Sequence, residues 1–316
     1  MEVSPEAPER RRREHGHRRL DHLRPGARTR EVIRRTALGV WSDGFMHAGN
    51  LAYLALTTLF PFFIVAAALA SLFGRSADGL RAVDEFLRTV PSGVRDVLRQ
   101  PIVDVLQARS GPLLWLGAIV GLWTTASFIE TLRDILRRAY GASASRPFWE
   151  YRLVAAGLIV GAVVLTFVAF SLQVVLIAAE QFIWRLLPFA TGAQQWISLG
   201  KIAPALGLFA ALYMLFYALT PGRYRYSECP KWPGALFTTG WWVLVTQALP
   251  PTLAMLGGYD RTYGSLAGVM ITLIFFYLVG LGVVVGAQLN AALAEVPLEP
   301  AGDMGQPDGH EKETSP

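Results

Sequence analysis

Cysteine is nearly absent from this chain of 316 residues: Cys229 stands alone. No intrachain disulfide can form, and a single loop thiol belongs to no metal-type cluster. Charge is scarce as well. Asp, Glu, Lys and Arg make up 17% of the residues, against about 25% in a soluble domain. The five histidines, His15, His17, His22, His47 and His310, avoid the long apolar blocks and show no metal-ligand spacing. There is no GxSxG, no phosphate-binding glycine loop and no HExxH. A hydrolase or nuclease without metal ligands or a nucleophile–base pair has no evident mechanism. The chain therefore reads as non-enzymatic, with no catalytic residue, no cofactor and no metal.

What the chain has is hydrocarbon. Hydrophobic residues reach 53% and the mean hydropathy is +0.36. They come in long blocks, and a bilayer-spanning helix needs ~20 mostly apolar residues. Six blocks qualify: Asn50–Phe73, Pro112–Ile129, Leu153–Ala179, Leu199–Leu219, Gly234–Leu256 and Gly264–Leu289. The first is longer than a signal-peptide core and follows a long basic leader, so it reads as a retained span. The expected fold class is all-α: a polytopic membrane bundle of six transmembrane helices.

Arginine sets the orientation. Counting Lys and Arg by connection places 20 on the side of the termini and 9 on the other, and basic loops stay inside. Both termini are predicted to be cytoplasmic, in a bacterial inner membrane. The organisation predicted is a disordered basic leader over 1–35, a membrane domain over 36–294 and a disordered acidic tail over 295–316. The leader, ERRRREHGHRRLDHLRPGARTR, has no aromatic residue to stack a base and no nucleic-acid-binding fold. Its expected partner is anionic lipid, at about 1 kcal/mol per basic residue near the surface.

Between the first two blocks, residues 74–111 place apolar residues at helical spacing (Leu80, Val83, Phe86, Leu87, Val90; then Val94, Val97, Leu98). Pro91 and Pro101 divide the run. Two or three amphipathic helices are expected, either packed on the outer rim or forming a lid. Four GxxxG pairs, Gly117/Gly121, Gly157/Gly161, Gly264/Gly268 and Gly282/Gly286, predict close helix packing, within the chain or between copies in a homo-oligomer. Pro61, mid-span, predicts a kink or hinge, with further breaks at Pro204 and Pro250-Pro251.

Polar residues at the span ends form two expected groups. Asp43, Asn50, Gln288 and Asn290 lie toward the inner face, with Tyr53 and Thr57 sharing a helix face just beyond. Asp260 and Arg261 lie at the outer face, with Glu180 and Lys201. Glu130 and Arg133 mark the inner end of the second span. About 36 Å separate Gly264 from Gln288 along an ideal helix, so the two groups cannot form one site. They could border a polar path, or simply be the two rims of a bundle.

The stretch YDRTYGSLAGVMITLIFFYLVGLGVVVGAQLNAAL resembles the C-terminal signature of the YihY/virulence factor BrkB family, formerly called the ribonuclease BN family. DGFMHAGNLAYLALTTLFPFFIVAAAL is similar to its first span, through Asp43, Ala52-Tyr53 and Phe60-Pro61. LWTTASFIETLRDILRRAY is similar to its middle motif, through Trp123 and Arg138-Ala139-Tyr140. RYRYSECPKWPGAL matches through Arg223, Arg225 and Pro233-Gly234-Ala235. The likeness covers about Glu31 to Leu293, and it implies a six-span bacterial inner-membrane protein with cytoplasmic termini, of transporter or envelope type. Where the family usually reads GAELN, this chain carries Gln288, so a carboxylate is lost there. The reading that follows is a transporter or flippase-like handler of a lipid or amphipathic envelope substrate. A membrane assembly or interaction factor is the alternative, and a membrane ribonuclease is disfavoured.

Overall fold

The computed structural model describes residues 3–15, 25–72, 87–88, 90–108, 112–142, 149–161, 164, 199–226, 229–255 and 264–295. Among them every regular element is helical. The labelled helices are α1 (Pro8–His15), α2 (Pro25–Leu72), α3 (Ser92–Ala108), α4 (Pro112–Tyr140), α5 (Leu199–Leu219), α6 (Gly222–Arg225), α7 (Trp232–Met255) and α8 (Ala267–Leu293). Residues 149–161 are also helical. Among the described residues, three helices are long and apolar enough to cross a membrane: Gly26–Ala66, Trp115–Tyr140 and Ala267–Leu293. Ala205–Leu219 is a shorter apolar helix. Each of the six expected blocks is helical over its described residues, which for the third are 153–161 and 164.

α8 is the axis of the bundle. Its residues are apolar on every side, the pattern of a helix buried all round. It runs antiparallel to α2: Gly39 faces Gln288, Gly44 faces Val284, and Gly280 faces Ala48 and Leu51. It also runs antiparallel to α7. There Gly286 lies against the Gly234 carbonyl and Thr238, and Gly282 against the Trp241 ring. Trp241 Nε1 donates to the Leu278 carbonyl at 2.7 Å, and Thr238 Oγ1 donates to the carbonyls of Gly234 and Gly282 at 2.8 and 3.1 Å. Small residues let these backbones approach, and the freed space is filled by hydrogen bonds across the helices. α4 packs on α2 in the same way, where a Cβ on Gly121 would stand 2.7 Å from the Pro61 carbonyl oxygen.

The core divides by depth. Toward one end, Leu59, Phe63, Val94, Leu98, Ile102, Leu249, Phe275 and Phe276 pack together. Toward the other, Leu51, Leu136, Phe216, Ala235, Val284 and Ala287 do so. α3 belongs to the first cluster. Its buried stripe Val94, Leu98, Ile102 recurs every four residues and lies on α2 and α8. Pro101 does not divide this segment as expected; α3 is continuous through it, because Pro101 sits on the exposed face.

Residues 8–15 form α1, and α2 already begins at Pro25, so no helix boundary falls at residue 35. The N-terminal residues seat on the bundle because small side chains fit there, with Ser4 and Ala7 buried. Ser4 N–H donates to the Arg138 carbonyl at 3.3 Å. Arg11 Nη2 donates to the carbonyls of Ala291 and Ala294, at 2.9 and 3.1 Å, capping the C-terminus of α8 with a cation where the helix dipole favours one. Glu9 accepts from the Tyr224 hydroxyl at 2.8 Å and from Arg223 at 3.2 Å. Burial, then the Glu9 hydrogen bond, pushes the Tyr224 phenol above its ordinary range. The described N- and C-terminal segments thus meet at one end of the bundle, together with the end of α4, with α6 and with the start of α7.

Candidate functional site

A part-buried ion pair lies on the flank of α4, partway along the helix rather than at its end. Trp123, Ser127 and Glu130 follow one another at i, i+4 and i+7, which puts them on one face of α4. Arg152, on the first turn of the 149–161 helix, lies alongside. Its Nη1 donates to Glu130 Oε2 at 3.0 Å. Its Nη2 donates to the Trp123 carbonyl at 2.7 Å and to Ser127 Oγ at 3.2 Å. The guanidinium carbon stands 3.8 Å from the Trp123 ring centroid. Gly121 beside Pro61 sets the antiparallel register of α4 on α2, so Glu130 falls close to Ala52. Ala52 packs with Phe275 and Phe276, about 14 Å into α8 from its start.

That depth is unusual for charge. Long basic side chains near a span end normally turn their heads toward water. Arg152 turns the other way, its head reaching from the end of α4 toward the apolar half. The side chain is 11% exposed and that of Glu130 22%. The site opens sideways, for Trp123, Trp149 and Leu153 are exposed beside it, and the two indoles stand 6.1 Å apart. A paired charge with an aromatic, laterally open flank can receive a polar group carried by an apolar body, exchanging one hydrogen bond for another without leaving either charge bare.

One turn nearer the basic end, Arg133 Nη1 donates to the Tyr151 carbonyl at 3.2 Å. Both Arg133 and Arg137 stand over the Tyr151 ring, at 5.0 and 5.6 Å from its centroid. Asp134 accepts from Arg138 at 2.8 Å and lies 3.4 Å from Arg137.

The residues expected from sequence are placed as follows. Gln288 is buried, and its Oε1 accepts from Ser4 Oγ at 3.4 Å, against Gly39 of α2. Asn290 is buried on another face, where its Oδ1 accepts from Gly234 N–H at 2.8 Å and its Nδ2 donates to the Lys231 carbonyl at 3.0 Å. Asn290 therefore satisfies a donor in the first turn of α7, one of the groups a helix start leaves open. Asn290→Ala should destabilise the protein by about 1–2 kcal/mol, measured as the midpoint of thermal unfolding in detergent. Gln288 and Asn290 do not converge. Asp43 is half-buried, and His47 has Asp43, Arg138 and Asp134 as electrostatic neighbours. Asn50, Tyr53 and Thr57 are exposed on α2, and Thr57 Oγ1 donates to its own helix at the Tyr53 carbonyl, 3.0 Å away.

Asp260 and Arg261 lie outside the described residues, as does Glu180. Gly264, with φ +52, adopts a backbone that glycine takes without strain, and it opens the 3-10 turn Gly264–Leu266 before α8. Gly268 packs on Val97, while Gly157 and Gly161 meet nothing within 4 Å. Gly117 is buried in α4. Arg152 and Trp123 were not singled out as site residues by the sequence reading. The i, i+4, i+7 spacing of Trp123, Ser127 and Glu130 was the available signal, but nothing in the spacing brings Arg152, 22 residues beyond Glu130, to the same place.

Over 257 residues the chain is 28% identical to a protein of Bacillus subtilis (strain 168), YfkH, which is named only as ribonuclease-like; the match covers 79% of this chain and 90% of that one. It is 28% identical over 263 residues to a UPF0761 membrane protein of Pseudoalteromonas translucida (strain TAC 125), covering 80% and 82%. A UPF0761 membrane protein of Stenotrophomonas maltophilia (strain K279a) is 25% identical over 278 residues, covering 84% and 61%. No solved structure matches significantly. The virulence factor BrkB family matches residues 40–308, a stretch that takes in α2 from its middle, the Glu130–Arg152 pair and the whole of α8. The chain belongs to the virulence factor BrkB family.

Proposed function

We propose that this protein handles a lipid or lipid-like amphipathic substrate of the bacterial envelope, as a transporter or flippase-like protein of the inner membrane with six spans and both termini in the cytoplasm. The observation that carries this reading is the Glu130–Arg152 pair, held at apolar depth on a face that opens sideways through Trp123 and Trp149. An ionisable pair inside a span is a functional-site hypothesis by default. A lateral aromatic opening suits a substrate that arrives from the bilayer. An open apolar groove of about 420 Å³ along α7, lined by Trp232, Leu236, Phe237, Gly240, Trp241 and Leu244, adds surface of the kind an acyl chain covers. Purified protein reconstituted in liposomes with labelled lipids should accelerate transbilayer movement. No acceleration, with or without an ion gradient, overturns the reading.

A second reading has one observation of its own. Gly157 and Gly161 are exposed and meet no neighbour within 4 Å among the described residues, a small-residue helix face of the kind that receives another membrane protein or a second copy. Under it, the protein is an assembly factor and Gly157→Leu abolishes a crosslinked partner band. One relative bears a ribonuclease-like name; among the described residues no group of His, Cys, Asp and Glu is placed to hold a metal ion for such chemistry.

A further inference from the structure

Arg133 is buried, yet among the described residues no carboxylate lies within ion-pair distance of it. The two nearby acids of α4 pair elsewhere: Glu130 through Oε2 with Arg152 at 3.0 Å, and Asp134 with Arg138 at 2.8 Å and Arg137 at 3.4 Å, while Glu130 Oε1 is buried without a hydrogen-bond partner among the described residues. The electrostatic neighbours of Arg133 are Glu130 and Tyr151, together with two further guanidiniums, Arg137 and Arg225. Arg137 shares the Tyr151 ring with it. Arg137 Nε and Arg225 Nε are buried without a hydrogen-bond partner among the described residues. Glu150, on the same turn as Tyr151, is exposed, and Glu228 lies outside the described residues.

Like charges gathered in a half-buried place are unfavourable unless an anion joins them. Guanidinium forks match phosphate oxygens two at a time, which an ammonium cannot do. The depth is also suitable: these arginines lie one to two turns nearer the basic end than the Trp123–Ser127–Glu130 face, at the level where a headgroup would sit below an apolar body.

We propose that Arg133 and Arg137, floored by the Tyr151 ring and backed by Arg225, bind the phosphate of a phosphate-bearing ligand, which is either a lipid headgroup or free phosphate. The site stands whether or not the protein moves lipid, so a negative transport assay leaves it intact.

Full-length protein in uncharged detergent is titrated with three probes: short-chain phosphatidylglycerol, inorganic phosphate, and a short-chain diacylglycerol lacking phosphate. Thermal stabilisation is the readout. Saturable stabilisation by phosphatidylglycerol, and none by diacylglycerol, is expected. The double variant Arg133→Gln/Arg137→Gln should weaken it at least about tenfold. Arg30→Gln, an exposed charge at the start of α2, should leave it unchanged. Equal stabilisation by inorganic phosphate assigns the site to free phosphate; stabilisation by the lipid alone assigns it to a headgroup. Should the double variant fail to fold, Arg137→Gln alone, whose side chain is 21% exposed, must weaken binding several-fold. No saturation by either phosphate probe, or unchanged binding in the variants, overturns the proposal.

Discussion

Gly286→Leu should lower the thermal unfolding midpoint in detergent by roughly 6–12 °C, a loss of about 3 kcal/mol or more, while Gly157→Leu leaves it within about 1–2 °C. Both glycines belong to GxxxG pairs, so sequence alone predicts equal effects. They differ in what a side chain would meet. At Gly286 a Cβ would collide with Thr238 Oγ1 and stand 2.8 Å from the Gly234 carbonyl oxygen. Backbone cannot rotate away, so α7 and α8 must separate. Separation would also stretch the Thr238 bond to Gly282 and the Asn290 bond to Gly234, which span the same two helices. At Gly157 there is open space, and leucine is the better helix former. Equal melting of the two variants would mean that α7 and α8 do not pack through these glycines.

Glu130→Leu should destabilise by about 3–5 kcal/mol, because it leaves the Arg152 guanidinium buried without its carboxylate. Adding Arg152→Met should recover most of that loss, since a buried pair replaced by apolar residues of similar size is often neutral or better. The recovery is measured as a double-mutant cycle, in which contacting residues couple by about 0.5–3 kcal/mol. Part of the deficit should remain, for Arg152 also bonds the Trp123 carbonyl and Ser127. The double variant then separates stability from activity. If the pair serves substrate, the protein folds, inserts and fails to move lipid. If transport by the double variant equals that of the native chain, the pair is structural and the functional reading loses its main support. Additive losses with no recovery would show that the two side chains do not act as a pair.

Some of the molecule was legible at once. The six apolar blocks, the Arg-rich side and the small-residue motifs identify a helical membrane protein, and the described residues of those blocks are helical. The Gly282/Gly286 pair was legible as a packing face. That its partner is α7 was not, because the motif states only that some helix comes close. Asn290 was legible as a polar residue near a span end, and it was grouped with Gln288 on that basis. The structure turns it toward Gly234 and Lys231, and turns Gln288 toward Ser4, since residues two apart on a helix point in directions about 200° apart. Composition says little about where the described N-terminal residues sit. A basic, polar segment looks disordered by its average properties, whereas its seating depends on a few contacts, Arg11 on the last carbonyls of α8 and Glu9 beneath Tyr224.

By itself the sequence determined that this chain is an α-helical membrane protein, because the length of each apolar block is matched against the bilayer and needs no knowledge of its neighbours. Only the tertiary structure decided which polar residues meet. Arg152 was one basic residue in a short connection, and Glu130 an acid near a span end. They become a pair because the chain reverses after Tyr140 and lays the 149–161 helix against α4 in a register that puts Arg152 beside the Trp123–Ser127–Glu130 face. That register is set by how two helix surfaces interlock, which no spacing along the chain records.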